Sequence, residues 1–190
     1  MTQLAPIAFW FLRHGETDWN AQNLSQGDID IPLNANGRAQ ALQAAELMRG
    51  RTVRTIVSST LSRALDTAEA VSVVTGVPVD ADAGLREVKF GEQEGQPMGD
   101  WYDDWIAGTY TPEGAEPFAV LRERVTQAIN RALEKPAPVL IVAHGALFRA
   151  VRSAMGLVPN VRTPNAVPIW CEPPQLPEAA WTLTPIGADT

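Results

Sequence analysis

Two short apolar runs constrain this chain more than any other feature. The first, Ile7-Ala8-Phe9-Trp10-Phe11-Leu12, stops abruptly at Arg13-His14-Gly15, and the second, Val139-Leu140-Ile141-Val142-Ala143, stops at His144-Gly145. Continuous apolar stretches of this length fit strands buried on both faces, as in parallel sheets covered by helices. A third β-rich run, Val53 to Val57, ends at Ser58-Ser59. Helix signals alternate with these runs. Asn34 reads as the N-cap of a helix over 35–49. Leu61, Leu65, Ala68 and Val71 recur at helical spacing before Gly76, a stop signal. Phe118, Leu121, Val125, Ile129 and Leu133 mark one face of a helix over 116–134, and another helix is expected over 146–156. Six of the 15 prolines fall in residues 161–190, so short strands near 167–171 and 181–184 are expected at a sheet edge or between prolines. Strand–helix alternation gives the α/β class with a largely parallel sheet.

The 190 residues are 45% hydrophobic and 19% charged, an ordinary globular composition for which one domain over 1–190 is expected. Residues 90–121 read as an insertion, part helical, lying over one end of the sheet: they hold seven acids and no Lys or Arg. The formal net charge of −7 argues against nucleic acid as the main partner, though a small phosphorylated substrate needs only a locally basic pocket. No stretch reaches the roughly 18 apolar residues of a membrane span, and no basic leader precedes Ile7. No membrane partner and a cytoplasmic location are therefore expected, with a homodimer left open. The lone Cys171 excludes an intrachain disulfide and a Cys-x-x-Cys metal site, and reads as a buried core residue.

In open α/β sheets ligands bind at the carboxyl ends of strands. Both histidines of the chain, His14 and His144, stand at such ends, each followed by a glycine that lets the backbone turn sharply and approach a ligand. Arg13 adjoins His14, and Arg63 lies in the first turn after Ser58-Ser59, where a cation is unfavourable to the helix dipole unless an anion is near. Together these four side chains suggest a converging cationic pocket whose guanidinium forks match phosphate oxygens.

The segment Leu12-Arg13-His14-Gly15-Glu16-Thr17-Asp18-Trp19-Asn20 resembles the signature of the histidine phosphatase superfamily, the phosphoglycerate-mutase-like proteins. The likeness continues through Gln26-Gly27, Asp30-Ile31-Pro32-Leu33, Gly37-Arg38-Ala39-Gln40-Ala41 and Ser58 to Ala64. It resumes at Leu85-Arg86-Glu87, Phe90-Gly91, Glu94-Gly95, His144-Gly145 and Asn165. The chain departs from the family pattern at Leu24, often Arg; at Thr60, often Pro; at Gln93, often Trp; and at Gly114-Ala115-Glu116-Pro117, usually Gly-Glu-Ser.

The resemblance implies a three-layer α/β/α sandwich with a mostly parallel central sheet, and phosphomonoester hydrolysis on a small phosphorylated metabolite with neither cofactor nor metal. It implies that His14 is the nucleophile and forms a phosphohistidine. Arg13, Arg63 and His144 would hold the phosphoryl oxygens, Glu87 would be the general acid, and Asn20, Gln26, Gly27 and Gly145 would contact substrate. Glu16 reads as structural or orienting. As a general acid Glu87 needs a raised pKa, from burial or from neighbouring acids, with Glu92 and Glu94 near in sequence. Trp101, Tyr102 and Trp105 either wall the leaving group or pack the insertion onto the sheet; Asp100, Asp103 and Asp104 read as a solvated face. An insertion without basic residues offers little to a second phosphate or carboxylate, so a phosphatase is expected over the alternatives, a phosphoglycerate mutase or a non-catalytic phospho-ligand binding module.

Overall fold

The computed structural model describes residues 2–176 and 179–187; Met1, the first residue of the stretch read for a leader, lies outside them. In chain order the elements are β1 (Phe9–Arg13), α1 (Asp18–Ala21), α2 (Ala35–Met48), β2 (Thr55–Ser58), α3 (Ser62–Thr75) and β3 (Val79–Ala81). They continue as α4 (Trp101–Ala107), α5 (Phe118–Leu133), β4 (Val139–Ala143), α6 (Gly145–Ala154), β5 (Pro168–Glu172) and β6 (Thr182–Pro185), with 3-10 turns at Ala83–Leu85 and Gly91–Gln93. One six-stranded sheet runs in the order β3-β2-β4-β1-β5-β6. β3, β2, β4 and β1 are mutually parallel, and β5 is antiparallel to both of its neighbours.

The two apolar runs become the central strands because they can be buried on both sides. Phe9 and Phe11 face a layer built by α4, α5 and α6, and Trp10 and Leu12 face the layer of α2 and α3. Phe11 stacks on Phe148 of α6 with ring centroids 3.9 Å apart. The expected largely parallel α/β sheet, with helices on both faces, is thus present. The two short C-terminal strands also fit: β6 is an edge strand, and β5, inside the sheet between β1 and β6, runs from Pro168 to the residue before Pro173. Pro168 is tolerated there because it opens the strand.

Local signals set the helix starts. Asn34 caps α2, its side chain accepting the Gly37 N–H at 2.8 Å. α3 has no cap on its own N-cap residue, Leu61. Asp30, far back in sequence, serves instead: its Oδ1 accepts from the Ser62 N–H at 2.8 Å and from the Ser62 hydroxyl at 2.7 Å. In the insertion, Trp105 is fully buried and donates its indole N–H to the Glu116 carbonyl at 2.9 Å. Phe90 meets Trp101 and Trp105 edge-on. Trp101 and Trp105 therefore pack the insertion onto the α5/α6 layer, as the blander of the two sequence readings has it.

Candidate active site

The carboxyl ends of β1, β2 and β4 lie side by side, and backbone hydrogen bonds extend the ladder past the strands. The His14 N–H donates to Ala143 at 3.0 Å, and the Ser59 N–H donates to Val142 at 3.0 Å. His14 and His144 are carried into one place, with ring centroids 5.2 Å apart and both residues buried. A cavity of about 230 Å³ opens there, lined among others by Arg13, His14, Arg63, Glu87 and Gly145. Asn20, Gln26 and Gly27 also line it. The structure thus brings the residues singled out from the sequence to one site, with His144 immediately behind His14.

The His14 ring donates from Nδ1 to the carbonyl of Gly15 at 2.6 Å. A carbonyl can only accept, so Nδ1 carries the proton and Nε2 keeps its lone pair. Burial, then the Arg63 and Arg13 guanidiniums, hold His14 well below the usual 6.5, so the ring is neutral near pH 7. The same causes, with His14 itself added, depress His144. The His144 Nε2 lies 2.7 Å from the Ser59 hydroxyl, which also accepts from the Leu61 N–H at 3.3 Å. Ser59 thereby fixes the orientation of the His144 ring. No signal in the sequence beyond the serine pair at a strand end marks Ser59 for this positioning role.

Both arginines are fixed by backbone carbonyls. Arg13 donates from Nη1 to Thr163 at 2.7 Å, and Arg63 donates to Ile29 at 2.7 Å and to Gly27 at 2.9 Å. Burial pushes each down to about 10, which still leaves it charged at neutral pH. The compensation expected for a cation in the first turn of α3 therefore comes from direct carbonyl contacts, with Glu87, Asp30 and Asp28 acting at longer range. The Arg13 Nε, the Arg63 Nε and the His144 Nδ1 are buried without a hydrogen-bond partner. Two orphaned guanidinium N–H groups at the cavity are a costly arrangement unless a ligand with acceptor oxygens satisfies them.

Glu87 follows the Ala83–Leu85 turn and is clamped from α5, where Arg124 donates to the carbonyls of Gly84 and Arg86, each at 2.9 Å. Its carboxyl group caps α6 from outside, accepting the Ala146 N–H at 2.9 Å and the Leu147 N–H at 2.8 Å. Burial raises its pKa against the opposing pull of these N–H groups and Arg63. The raised pKa therefore comes from desolvation. Glu92 and Glu94 are turned to other work: Glu94 accepts the N–H groups of Phe90 and Asp28, and Glu92 faces Tyr110. Glu16 is structural, as expected, accepting from the Asn34 side chain at 3.0 Å.

Two sequence readings need correction. Gly15 is not spared a side chain for a ligand's sake. A Cβ there would stand 2.3 Å from the Gly37 carbonyl oxygen, so the constraint is the start of α2. Gly145 fits the original reading better, since its missing Cβ would meet the Arg13 guanidinium at 3.2 Å. The second correction concerns charge. None of the seven acids of the insertion lines the cavity, and Arg149 and Arg162 enter it from outside the insertion. Both escaped the sequence reading. Arg149 had one available signal: it lies one helical turn beyond the first residues after His144. Arg162 sits on an irregular loop and had none. Of Trp101, Tyr102 and Trp105 only Tyr102 reaches the cavity, where Phe90 joins it. Among the described residues no group of three or more His, Cys, Asp or Glu side chains is placed to hold a metal ion.

A family model described as the histidine phosphatase superfamily (branch 1) matches residues 9–165. The chain is 37% identical over 164 residues to a glucosyl-3-phosphoglycerate phosphatase of Mycolicibacterium vanbaalenii, covering 76% of this chain and 72% of that one. It is 38% identical over 170 residues to a probable phosphoglycerate mutase GpmB of Klebsiella pneumoniae, covering 80% and 76%. Among solved structures, a mycobacterial glucosyl-3-phosphoglycerate phosphatase complexed with VO3 superimposes with a TM-score of 0.80 at 30% identity, covering 93% of this chain and 96% of that one.

Proposed function

The chain belongs to the histidine phosphatase superfamily, an enzyme family of phosphoric monoester hydrolases, and on that premise we propose that it hydrolyses a small phosphorylated metabolite through a phosphohistidine on His14, without a metal ion. The observation that carries the reading is the neutral His14 imidazole, its Nε2 lone pair free, set in one cavity with the orphaned N–H groups of Arg13 and Arg63. Nε2 attacks phosphorus in line, and the bond from phosphorus to the ester oxygen breaks. Glu87, its pKa raised by burial, gives its proton to the leaving oxygen. The resulting carboxylate takes a proton from water, whose oxygen attacks phosphorus and releases inorganic phosphate and neutral His14. Phosphoryl transfer asks mainly for positioning and charge stabilisation, which the two guanidiniums supply directly.

The relatives divide between a sugar-phosphoglycerate phosphatase and probable mutases. The high likeness to a phosphatase structure favours hydrolysis of a phosphorylated sugar metabolite. A small-molecule partner, with neither nucleic acid nor membrane, fits the enclosed cavity, and no helix among the described residues is long and apolar enough to cross a membrane. The test is turnover of a phosphomonoester panel in EDTA. His14→Ala is expected to abolish hydrolysis and 32P-labelling of the protein. Glu87→Gln is expected to lose far more activity on an alkyl phosphate than on p-nitrophenyl phosphate, whose leaving group needs little protonation. Residual labelling in the first variant sinks the nucleophile, and equal losses in the second sink the general acid.

A further inference from the structure

Glu87 is held from two directions. Its carboxyl group meets the start of α6, where Oε1 accepts the Leu147 N–H at 2.8 Å and Oε2 accepts the Ala146 N–H at 2.9 Å. Oε1 also accepts the Val88 N–H at 3.1 Å. A carboxyl oxygen offers two acceptor directions, so Oε1 is filled and one direction stays open, on Oε2. A proton that Glu87 carries for a leaving group therefore sits on Oε2. Where that atom points depends on how the backbone of residue 87 is held.

That backbone is held from α5 and from the end of the insertion. Of the two carbonyls that Arg124 Nη1 grips, the Arg86 carbonyl belongs to the peptide bond that begins Glu87. The rest of the guanidinium is taken by Glu116 in a two-pronged pair, Nε to Oε1 at 2.9 Å and Nη2 to Oε2 at 2.6 Å. Four hydrogen bonds to one rigid fork fix both its place and its tilt. Glu116 also grips the chain beyond the acid, its N–H donating to the Lys89 carbonyl at 2.9 Å. Its own carbonyl takes the Trp105 indole N–H, which ties it to α4. The segment from residue 84 to residue 89 is thus fastened on both sides of Glu87. With side chains 29% and 16% exposed, the Arg124–Glu116 pair is sheltered from the water that makes surface ion pairs weak. Neither residue lines the cavity, so neither touches substrate.

We propose that Arg124, braced by Glu116, is the positioning residue for the general acid: it holds residues 84–89 so that the open direction of Glu87 Oε2 meets the ester oxygen. The inference rests on the hydrolase reading, which supplies the acid's task. It adds a part for the insertion, one of whose acids braces the proton donor. A general acid acts over one hydrogen-bond length, and a misplacement of about 1 Å costs on the order of 100-fold in rate. A merely structural bridge would be felt by every substrate alike. A bridge that aims a proton is felt in proportion to the leaving group's need for one.

The experiment measures kcat/KM for p-nitrophenyl phosphate and for the alkyl phosphate that the panel shows to be turned over best. It compares the wild type with Glu87→Gln, Arg124→Gln, Glu116→Gln and the Arg124→Gln/Glu116→Gln double variant. The ratio kcat/KM covers the steps up to departure of the alcohol, so the later attack of water does not enter. Arg124→Gln is expected to lower the alkyl-to-aryl ratio of kcat/KM at least about tenfold, in the same direction as Glu87→Gln. Glu116→Gln is expected to lower it less, and the double variant no further than Arg124→Gln, because the two side chains act as one unit. Glu116→Gln keeps the backbone bonds to Lys89 and Trp105, so it keeps the test open should Arg124→Gln misfold. An unchanged ratio in the variants that fold, or summed effects in the double variant, overturns the positioning role. Selective loss in Glu87→Gln with none in the Arg124 and Glu116 variants sinks that role alone. A wild type that turns over neither ester sinks the hydrolase reading.

Discussion

His14, His144 and Glu87 are ionisable groups whose burial changes what the rest of the molecule experiences. The two histidines titrate well below 6.5 in the folded chain. On unfolding they recover ordinary values and take up protons, so the stability they confer is full above pH 6.5 and is lost as the pH falls. Glu87 acts in the opposite sense. Its raised folded pKa means its contribution is full below 4.5 and is lost as the pH rises through that raised value. Below pH 6.5 unfolding takes up protons at both histidines, which lowers stability on acidification, and the raised pKa of Glu87 offsets part of that uptake. Urea midpoints measured between pH 7 and pH 5 are therefore expected to fall, and Glu87→Gln to steepen the fall. A flat profile would contradict the buried, neutral histidines on which nucleophilic attack depends.

At the scale of elements, the helices differ in how far their starts were legible. α2 carries its cap next door, in Asn34, and the sequence reading placed its start at residue 35, where the structure has it. Replacing Asn34 with alanine is expected to cost about 1 kcal/mol, because it removes the acceptor for the Gly37 N–H. Chemical denaturation reads this directly; an unchanged midpoint would show that another group caps the helix. α3 and α6 were legible only in their apolar spacing. Their caps are Asp30 and Glu87, side chains 32 and 59 residues away from the N–H groups they bind. No local pattern announces such partners, since each becomes a cap only once the sheet has brought separate loops together. The insertion was readable as a departure from the strand–helix rhythm, and its division into core and cavity residues was not. Trp101, Tyr102 and Trp105 share one short helix, and only its orientation on α5 decides that Tyr102 meets Arg149.

At the scale of the whole molecule, the loop after His14 is locked by backbone contact with the start of α2. A Cβ on Gly37 would lie 1.9 Å from the Glu16 carbonyl oxygen, and backbone on both sides leaves nothing flexible to yield. Gly37→Ala is accordingly expected to destabilise by about 1–3 kcal/mol or more. Gly99→Ala, whose added Cβ would make an ordinary 3.4 Å contact with Trp101, is expected to stay within about 0.5 kcal/mol. Thermal unfolding of the two variants side by side checks this, and equal midpoints would mean the loop has room to move.

Sequence alone determined the class of fold and the chemistry of the site's centre. Apolar runs long enough for buried strands, ending in Arg-His-Gly and His-Gly, leave few ways to place two imidazoles other than at adjoining carboxyl ends of a parallel sheet. The family motifs then supplied Glu87, which no periodicity points to. Tertiary structure decided what surrounds that centre: which polar atoms are left without partners, why the Glu87 pKa is raised, and which charges reach the cavity. The sequence reading saw an acidic insertion and inferred a poor site for a second anion. The folded chain turns those acids away and brings Arg149 and Arg162 in from α6 and its following loop. Periodicity reports which face of an element avoids water, because that depends on neighbours along the chain. The field inside a cavity is a sum over side chains close in space, and those positions exist only after the layers have packed.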